Sequence, residues 1–365
     1  MSEKSWLKEY PAGVPAEIDV NQFSSIPDLL EKSFTKFADK PAYHNLGHTI
    51  TYAELERLSR DFAAFLQGLP GMVKGERVAI MSPNLLQYPV ALIGILRAGM
   101  TVVNVNPLYT PRELEHQLKD SGAKAIVIVE NFANTLQKVI AKTQVEHVIT
   151  TELGDLLPLP KRWIVNFVIK HVKKMVPDWR IDGAITLRAA LARGAAVQFK
   201  SVTLTHEDIA FLQYTGGTTG LSKGAMLTHR NILANVEQSG VWISGSFREA
   251  SEIAVSPLPM YHIFCLTSTF SFMKWGALNV LITNPRDLSA FVKELGQWKF
   301  TALTGVNTLF NGLLNTPGFN QLDFSGIKVV IGGGAAVQKP IAERWQQVTG
   351  KYLTEAYGQI GRAHV

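Results

Sequence analysis

Between Tyr214 and Asn231 the chain reads YTGGTTGLSKGAMLTHRN, which gathers four glycines, four threonines and Lys223 into one short stretch. Glycine lets backbone N–H groups approach a ligand closely, threonine hydroxyls add further donors, and a lysine supplies positive charge. Residues of these types in this order make a cradle for phosphate oxygens. The candidates are Tyr214, Thr215, Gly216, Gly217, Thr218, Thr219, Gly220, Lys223 and Gly224. A Walker A loop is excluded, because no Gly-Lys-Ser/Thr tripeptide stands at the required spacing. A polar turn is the plain alternative, but such turns rarely concentrate these residues directly after a strand.

A second candidate is His262 in PLPMYHIF. An imidazole there can orient or polarise a carboxylate, although a single histidine among apolar residues is more often a structural one. The run from Phe264 to Trp275 reads as core, with the wall of a narrow apolar tunnel as its alternative. Asn104, Asn106, Thr110 and Arg112 also stand close together, but capping of a helix accounts for Thr110 and the group is not taken as a site.

Strands and helices must hold these segments in place. From Arg77 onward β-branched runs alternate with helical patterns: RVAIM, Leu86 to Arg97, TVVNV, Pro111 to Asp120, AKAIVIV, Asn131 to Lys142 and HVIT. Such alternation predicts parallel βαβ units. Thr51 with Glu54, and Thr110 with Glu113 after Pro111, have the spacing of capping boxes, and Gly122 can close the second helix. The alternation resumes with a strand over Ile209–Tyr214, a helix after Thr228, ALNVLI, a helix from Asp287, TALTG, a helix after Val306, KVVIGGG and a helix from Gln338. The expected organisation is a first α/β subdomain over 1–204 and a second over 205–358, with Glu152 to Thr203 as their connection. Within that connection Ile164, Val168, Val172 and Met175 recur at helical spacing among Lys161, Arg162, Lys170, Lys173 and Lys174. A surface helix packed on the core is the plainer reading, and peripheral contact with an anionic membrane the alternative.

With 365 residues, 46% hydrophobic and 18% charged, the chain is long and apolar enough for a large folded core. A net charge of +6 is too dilute to imply nucleic-acid binding, and leaves anionic small molecules and membrane surfaces open. The single cysteine, Cys265, fits a reducing, cytoplasmic setting and excludes a cysteine metal cluster. The first twenty residues lack the apolar run of an export signal, and the apolar stretch Ile253 to Ile282 is interrupted by prolines, His262, Lys274 and Gly276, so no membrane span is expected.

The phosphate cradle resembles the signature of the AMP-forming acyl-adenylating superfamily. NVNPLYTPRELEHQLKDSGA, PLPMYHIF, ITNPRD, TGVNTLFN, IGGGAAV and EAYG resemble, in the same order, stretches of the bacterial long-chain fatty-acid–CoA ligases, so the similarity runs from near Trp6 to Gly358. The resemblance implies two stacked αβ-layered subdomains, the large N-terminal part of that fold. It implies a ligase that joins a fatty acid to CoA at the expense of ATP, with Mg²⁺ on the phosphates and AMP and pyrophosphate released. It places Thr215 nearest the metal-bound phosphates, and sets Gly332, Gly333, Gly334, Ala356, Tyr357 and Gly358 around the adenine, with Tyr357 stacked on the purine. It puts His262 beside the acyl site. Ala356 stands where the family more often has Gly, and Ala336 where it often has Pro. A medium-chain or aryl acid, and a nucleotide-binding module without catalysis, are the competing readings. A dinucleotide-dependent oxidoreductase is excluded, since no G-x-G-x-x-G with a downstream acid opens the first unit.

After Gly358 the family pattern continues Leu-Thr-Glu, whereas this chain reads QIGRAHV. Residues 359–365 are therefore expected to be a non-native tail, resembling translated sequencing adapter. The small mobile C-terminal domain of the family is expected to be missing, and the chain to be poorly active alone.

Overall fold

The computed structural model describes residues 5–215 and 221–358. Its strands, in chain order, are β1 Pro41–Asn45, β2 His48–Thr51, β3 Arg77–Met81, β4 Thr101–Val105, β5 Ala125–Val129, β6 His147–Thr151 and β7 Ile185–Thr186. They continue with β8 Ile209–Thr215, β9 Lys223–Thr228, β10 Ile253–Ser256, β11 Leu278–Leu281, β12 Ala302–Gly305, β13 Val329–Gly332 and β14 Thr354–Glu355. Two seven-stranded sheets result, ordered β14-β13-β12-β10-β11-β1-β2 and β7-β6-β5-β3-β4-β8-β9. Each is parallel except for one antiparallel pair at an edge, β1 with β2 and β8 with β9.

The parallel core strands are buried on both faces, so they read as continuous apolar runs. Val78 and Ile80 of β3 join a large interior cluster, while Ala79 and Met81 join a separate one with Leu114 and Leu118. The interior cluster also holds Phe62, Leu92 and Phe270 from the helices Tyr52–Gln67, Gln87–Arg97 and Ile263–Lys274. A third cluster, with Val280, Leu303, Val330, Phe310 and Trp345, covers the far face of the β10-containing sheet. Helices therefore lie between the two sheets and outside each, which makes a layered α/β architecture of two stacked halves.

Local signals act where expected. Thr51 and Glu54, and Thr110 and Glu113, form reciprocal capping boxes, and Gly122 adopts the left-handed conformation at the end of the second helix. A third box pairs Thr228 with Asn231. The expected helix over Asn131 to Lys142 is instead a short helix, Ala133–Gln137, between 3₁₀ turns at Glu130–Phe132 and Ile140–Lys142.

The sheets do not divide the chain at 204/205. β1 and β2 pair with the late strands, and β8 and β9 complete the sheet of the early ones. Glu152 to Thr203 is more than a connection. It contributes edge strand β7, and its helix Leu187–Ala195 packs on Tyr52–Gln67 so closely that a Cβ at Gly194 would overlap the Asp61 carbonyl. The reason is pairing: β1 hydrogen-bonds to β11, and β8 to β4, and such long-range choices leave no mark on local periodicity. Among the described residues no helix is long and apolar enough to cross a membrane.

Candidate active site

In the β10-containing sheet the chain passes from β10 to β11 on one side and then to β12 on the other, so the strand order reverses between β10 and β12. Crevices at such reversals, beyond the carboxyl ends of parallel strands, are the usual binding sites of open α/β sheets. A cleft of about 620 Å³ opens at this end of the sheet. Its walls are the helices His229–Ile243 and Ile263–Lys274, and its floor includes Ile331, Gly333 and Gly334.

The cleft brings together His262, Gly333, Gly334, Ala356, Tyr357 and Gly358, six of the sequence-derived candidates from three separated segments. The Gly333 amide donates to the Gly305 carbonyl at 3.1 Å, and the Ala356 amide to the Gly332 carbonyl at 2.7 Å, which extends the ladder past β13 to the cleft. A Cβ at Gly333 would stand 3.0 Å from the Phe264 ring, so glycine here permits the ring to rest on backbone. Gly334, at φ +75°, turns the chain out of the sheet. Tyr357 lies at the rim with 88% of its surface exposed.

His262 caps the helix Ile263–Lys274. Its Nδ1 accepts from the Phe264 amide at 3.3 Å, which leaves the proton of a neutral ring on Nε2. Desolvation by the surrounding protein holds its pKa below the ordinary histidine value, favouring that neutral form. The ring thus offers the cleft an N–H donor rather than a charge.

Two side chains from the other sheet fix the His262 loop, and neither was legible as functional. Asn84, after β3, donates to the carbonyls of Ser256 and Leu258 and accepts from the Met260 amide at 2.9 Å. Gln213 of β8 donates to the Tyr261 carbonyl at 2.7 Å and accepts from Asn104, which in turn accepts from the Tyr88 hydroxyl. Asn104 therefore acts at one remove, inside a buried network. Asn106 forms an Asx turn with the Leu108 amide. An asparagine in a turn and a glutamine in a strand carry no distinguishing sequence signal.

The helix Ile263–Lys274 divides its apolar run between the core and the cleft. Cys265, Leu266, Phe270 and Met273 are core, Phe264, Thr267, Ser268 and Ser271 line the cleft, and Phe272 reaches the cleft from a buried cluster in which it stacks on Phe247. The hydroxyls on the lining side turn back onto their own helix: Thr267 donates to the Ile263 carbonyl, Ser268 to Phe264 and Ser271 to Thr267. With their protons so occupied, these residues present a wall less polar than their types suggest. Asn231, Asn235 and Gln238 face it from the helix His229–Ile243.

The remaining candidates lie elsewhere. Gly216, Gly217, Thr218, Thr219 and Gly220 fall outside the described residues. Thr215 and Lys223 are exposed partners at the end of the β8–β9 pair, flanking that segment. The Tyr214 side chain does not face the cleft. It packs with Ala79 and Val103 on the opposite side of its sheet and donates to Asp120. Its register partner Gly224 is occupied with that ring, because a Cβ would stand 2.9 Å from it. At Gly332 a Cβ would meet Val337 and Leu353, so this glycine also serves packing.

Among the described residues no three histidine, cysteine, aspartate or glutamate side chains converge as metal ligands. Thr215 offers one neutral hydroxyl at an exposed strand end. Mg²⁺ commonly keeps waters and bridges substrate phosphates, and a site of that kind fits one protein oxygen where an all-protein cage would not.

The family described as AMP-binding enzyme matches residues 30–359. The chain belongs to that family. It is 56% identical over 357 residues to a long-chain-fatty-acid–CoA ligase of Escherichia coli O6:H1, covering 98% of this chain and 64% of the relative. A Bacillus subtilis long-chain-fatty-acid–CoA ligase is 33% identical, at 98% and 63% coverage. The AMP-binding chain thus spans about 64% of the length of its E. coli relative. A solved anthranilate CoA ligase in complex with anthranoyl-AMP superposes with a TM-score of 0.80 at 19% identity, covering 94% of this chain and 62% of that one. A long-chain-fatty-acid–CoA ligase from Archaeoglobus fulgidus gives 0.76 at 23% identity, with 96% and 67% covered. At these identities the two structures establish the fold.

Proposed function

We propose that this AMP-binding chain is the adenylate-forming part of an ATP-dependent fatty-acid–CoA ligase acting on long-chain acids. One observation carries the reading: the cleft at the strand reversal gathers His262, Gly333, Gly334, Ala356, Tyr357 and Gly358 from separated segments. The relatives named as long-chain ligases support the substrate class.

In the first step a fatty-acid carboxylate oxygen attacks the α-phosphorus of ATP, and the bond to the bridging oxygen breaks to release pyrophosphate. In the second the CoA thiol attacks the acyl carbonyl and AMP departs. Negative charge grows on the leaving pyrophosphate, so fixed N–H and O–H donors aimed at it lower the barrier. The segment from Thr215 to Gly224 supplies that type of donor, with Lys223 adding charge. The Thr215 hydroxyl is the group of this chain that would hold Mg²⁺, which would supply further neutralisation of the same charge. His262 Nε2–H orients the acyl carboxylate. Gly333, Gly334, Ala356 and Gly358 give the purine a flat backbone surface, and Tyr357 stacks on it. The apolar side of Ile263–Lys274 that faces the cleft, with Phe264 and Phe272, receives acyl carbons. The setting proposed is cytoplasmic.

The test is acyl-adenylate formation by purified 1–365 with α-labelled ATP and Mg²⁺, using palmitate, octanoate and benzoate, alongside direct ATP binding. Palmitoyl-adenylate in excess of the others supports the reading, and adenylate only from benzoate or octanoate replaces the substrate class. ATP binding without any adenylate favours a nucleotide-binding role for this chain.

A further inference from the structure

The chain leaves β8 at Thr215 and returns to β9 at Lys223, and these two residues pair at the end of the ladder. Both are exposed. A hairpin end held only by its last backbone pair frays readily, which would let donors carried beyond it wander. This end is held by more than its ladder.

The helix Pro111–Ser121 reaches both feet of the hairpin. On the β8 side the Tyr214 hydroxyl donates to Asp120, and the Tyr214 ring lies against Gly224 of β9. On the β9 side His116 Nε2 donates to the Ser222 carbonyl at 2.9 Å, and the Ser222 side chain meets the Tyr109 phenol. His116 and Asp120 stand four residues apart, so they share one face of the helix and offer one group to each foot. Their partners lie 106 and 94 positions later in the chain.

The helix is itself fixed at its start, middle and end. Thr110 and Glu113 cap it, and Leu114 and Leu118 sit in the buried cluster with Ala79 and Val103. Gln117 donates to the Asn104 carbonyl at 2.8 Å, and Arg77 Nε to the Ser121 carbonyl at 3.0 Å. An amphipathic helix needs only its apolar side to pack on a sheet. The contacts of His116 and Asp120 add nothing to that packing; they tie a rigid element to the two ends of one loop.

We infer that His116 and Asp120 are positioning residues for the phosphate loop. By holding both feet of the β8–β9 hairpin, one helix sets the separation and direction from which the donors between Thr215 and Gly224 approach phosphate oxygens. Donors fixed before the ligand arrives need no reorganisation on binding. The inference rests on the phosphate role proposed for that segment.

The test uses 1–365 and compares hydrogen exchange, thermal unfolding, and calorimetric affinity for tripolyphosphate and for AMP, each with Mg²⁺. His116→Ala and Asp120→Ala should each speed exchange in the peptide holding Ser222 and Lys223. Each should weaken tripolyphosphate by about fivefold, the worth of one hydrogen bond, and leave AMP affinity unchanged. His116→Gln and Asp120→Asn keep a donor and an acceptor at these positions and should bind tripolyphosphate as the wild type does. Losses shared equally by both ligands and tracking the unfolding temperature would overturn the inference, because they mark a purely structural helix. Alanine variants that hold tripolyphosphate as tightly as the wild type would overturn it too, and leave the phosphate reading standing. A wild type that binds AMP but no tripolyphosphate would retire the phosphate role of the loop, and this inference with it.

Discussion

The helix Ile263–Lys274 and the excursion from Lys161 to Val172 are both dominated by apolar residues, and they meet opposite surroundings. The first inserts between two sheets, seating Phe270 in the interior cluster and turning Phe264 and Phe272 to the cleft. The second hangs from polar side chains and leaves Trp163 and Phe167 to solvent. An apolar stripe therefore specifies that something will cover it, but not what. For the first helix the cover is the rest of the chain. For the second, Val165, Val168 and Ile169 are half-buried, but the described residues leave Trp163, Ile164, Phe167 and Val172 uncovered.

The contrast is sharpest in stability. Phe270→Ala should cost about 3–5 kcal/mol, because it empties a fully buried site that its neighbours cannot refill. Phe167→Ala, at an exposed position, should stay within about 0.5 kcal/mol. Denaturant unfolding of the two variants measures both, and equal losses would end the comparison.

Acid should distinguish the regions next. His229, at the start of the helix opposite Ile263–Lys274, is buried and accepts from the Ile26 amide through Nδ1 at 3.2 Å. Desolvation lowers its pKa from 6.5 to about 4. A lowered folded value means that the unfolded chain takes up the proton first. The stability His229 contributes is complete above about 6.5 and is lost as pH falls toward 4, on the order of 3 kcal/mol in all. Unfolding free energies measured across that range should fall with acid, and His229→Asn should flatten the slope.

Smaller effects probe the loop between. Asn84→Ala should cost about 2 kcal/mol, leaving the Ser256 and Leu258 carbonyls and the Met260 amide without their partner. It should also speed hydrogen exchange at the Met260 amide, while leaving that of the Leu159–Arg180 excursion unchanged. Ser268→Ala should shift stability by no more than about 0.5 kcal/mol, because its hydroxyl serves only the Phe264 carbonyl of its own helix. A large loss there would mean that the hydroxyl holds more than its helix.

Much of the fold was legible because its signals are local. β3 to β6 appear as apolar runs, since burial on both faces removes alternation, and Thr51 and Thr110 announce helices through a glutamate three residues later. β1 and β2 escaped notice, being short and mixed in composition, and so did β9, hidden in a segment read for its phosphate chemistry. Of the candidate site, His262 and the glycines after β13 were singled out by their motifs, and the fold sets them along one cleft. Tyr214 and Gly224 stood in a motif too, yet face each other and the far side of their sheet. A strand alternates its side chains between two faces, and a motif does not say which face belongs to the ligand. Asn84 and Gln213 could not have been found, because their importance lies in carbonyls far away in sequence.

The sequence by itself determined most of the element types, the capped helix starts, the membership of the AMP-binding family and the concentration of positive charge between Lys161 and Arg180. These depend on residues within a few positions of one another, or on motifs read in order. The tertiary structure alone decided that β1 and β2 join the late sheet, that the His262 loop hangs from Asn84 and Gln213, and which apolar stripe is buried. Each of those is a pairing across long stretches of chain, fixed by which buried surfaces and backbone groups find partners in the whole molecule rather than by local preference.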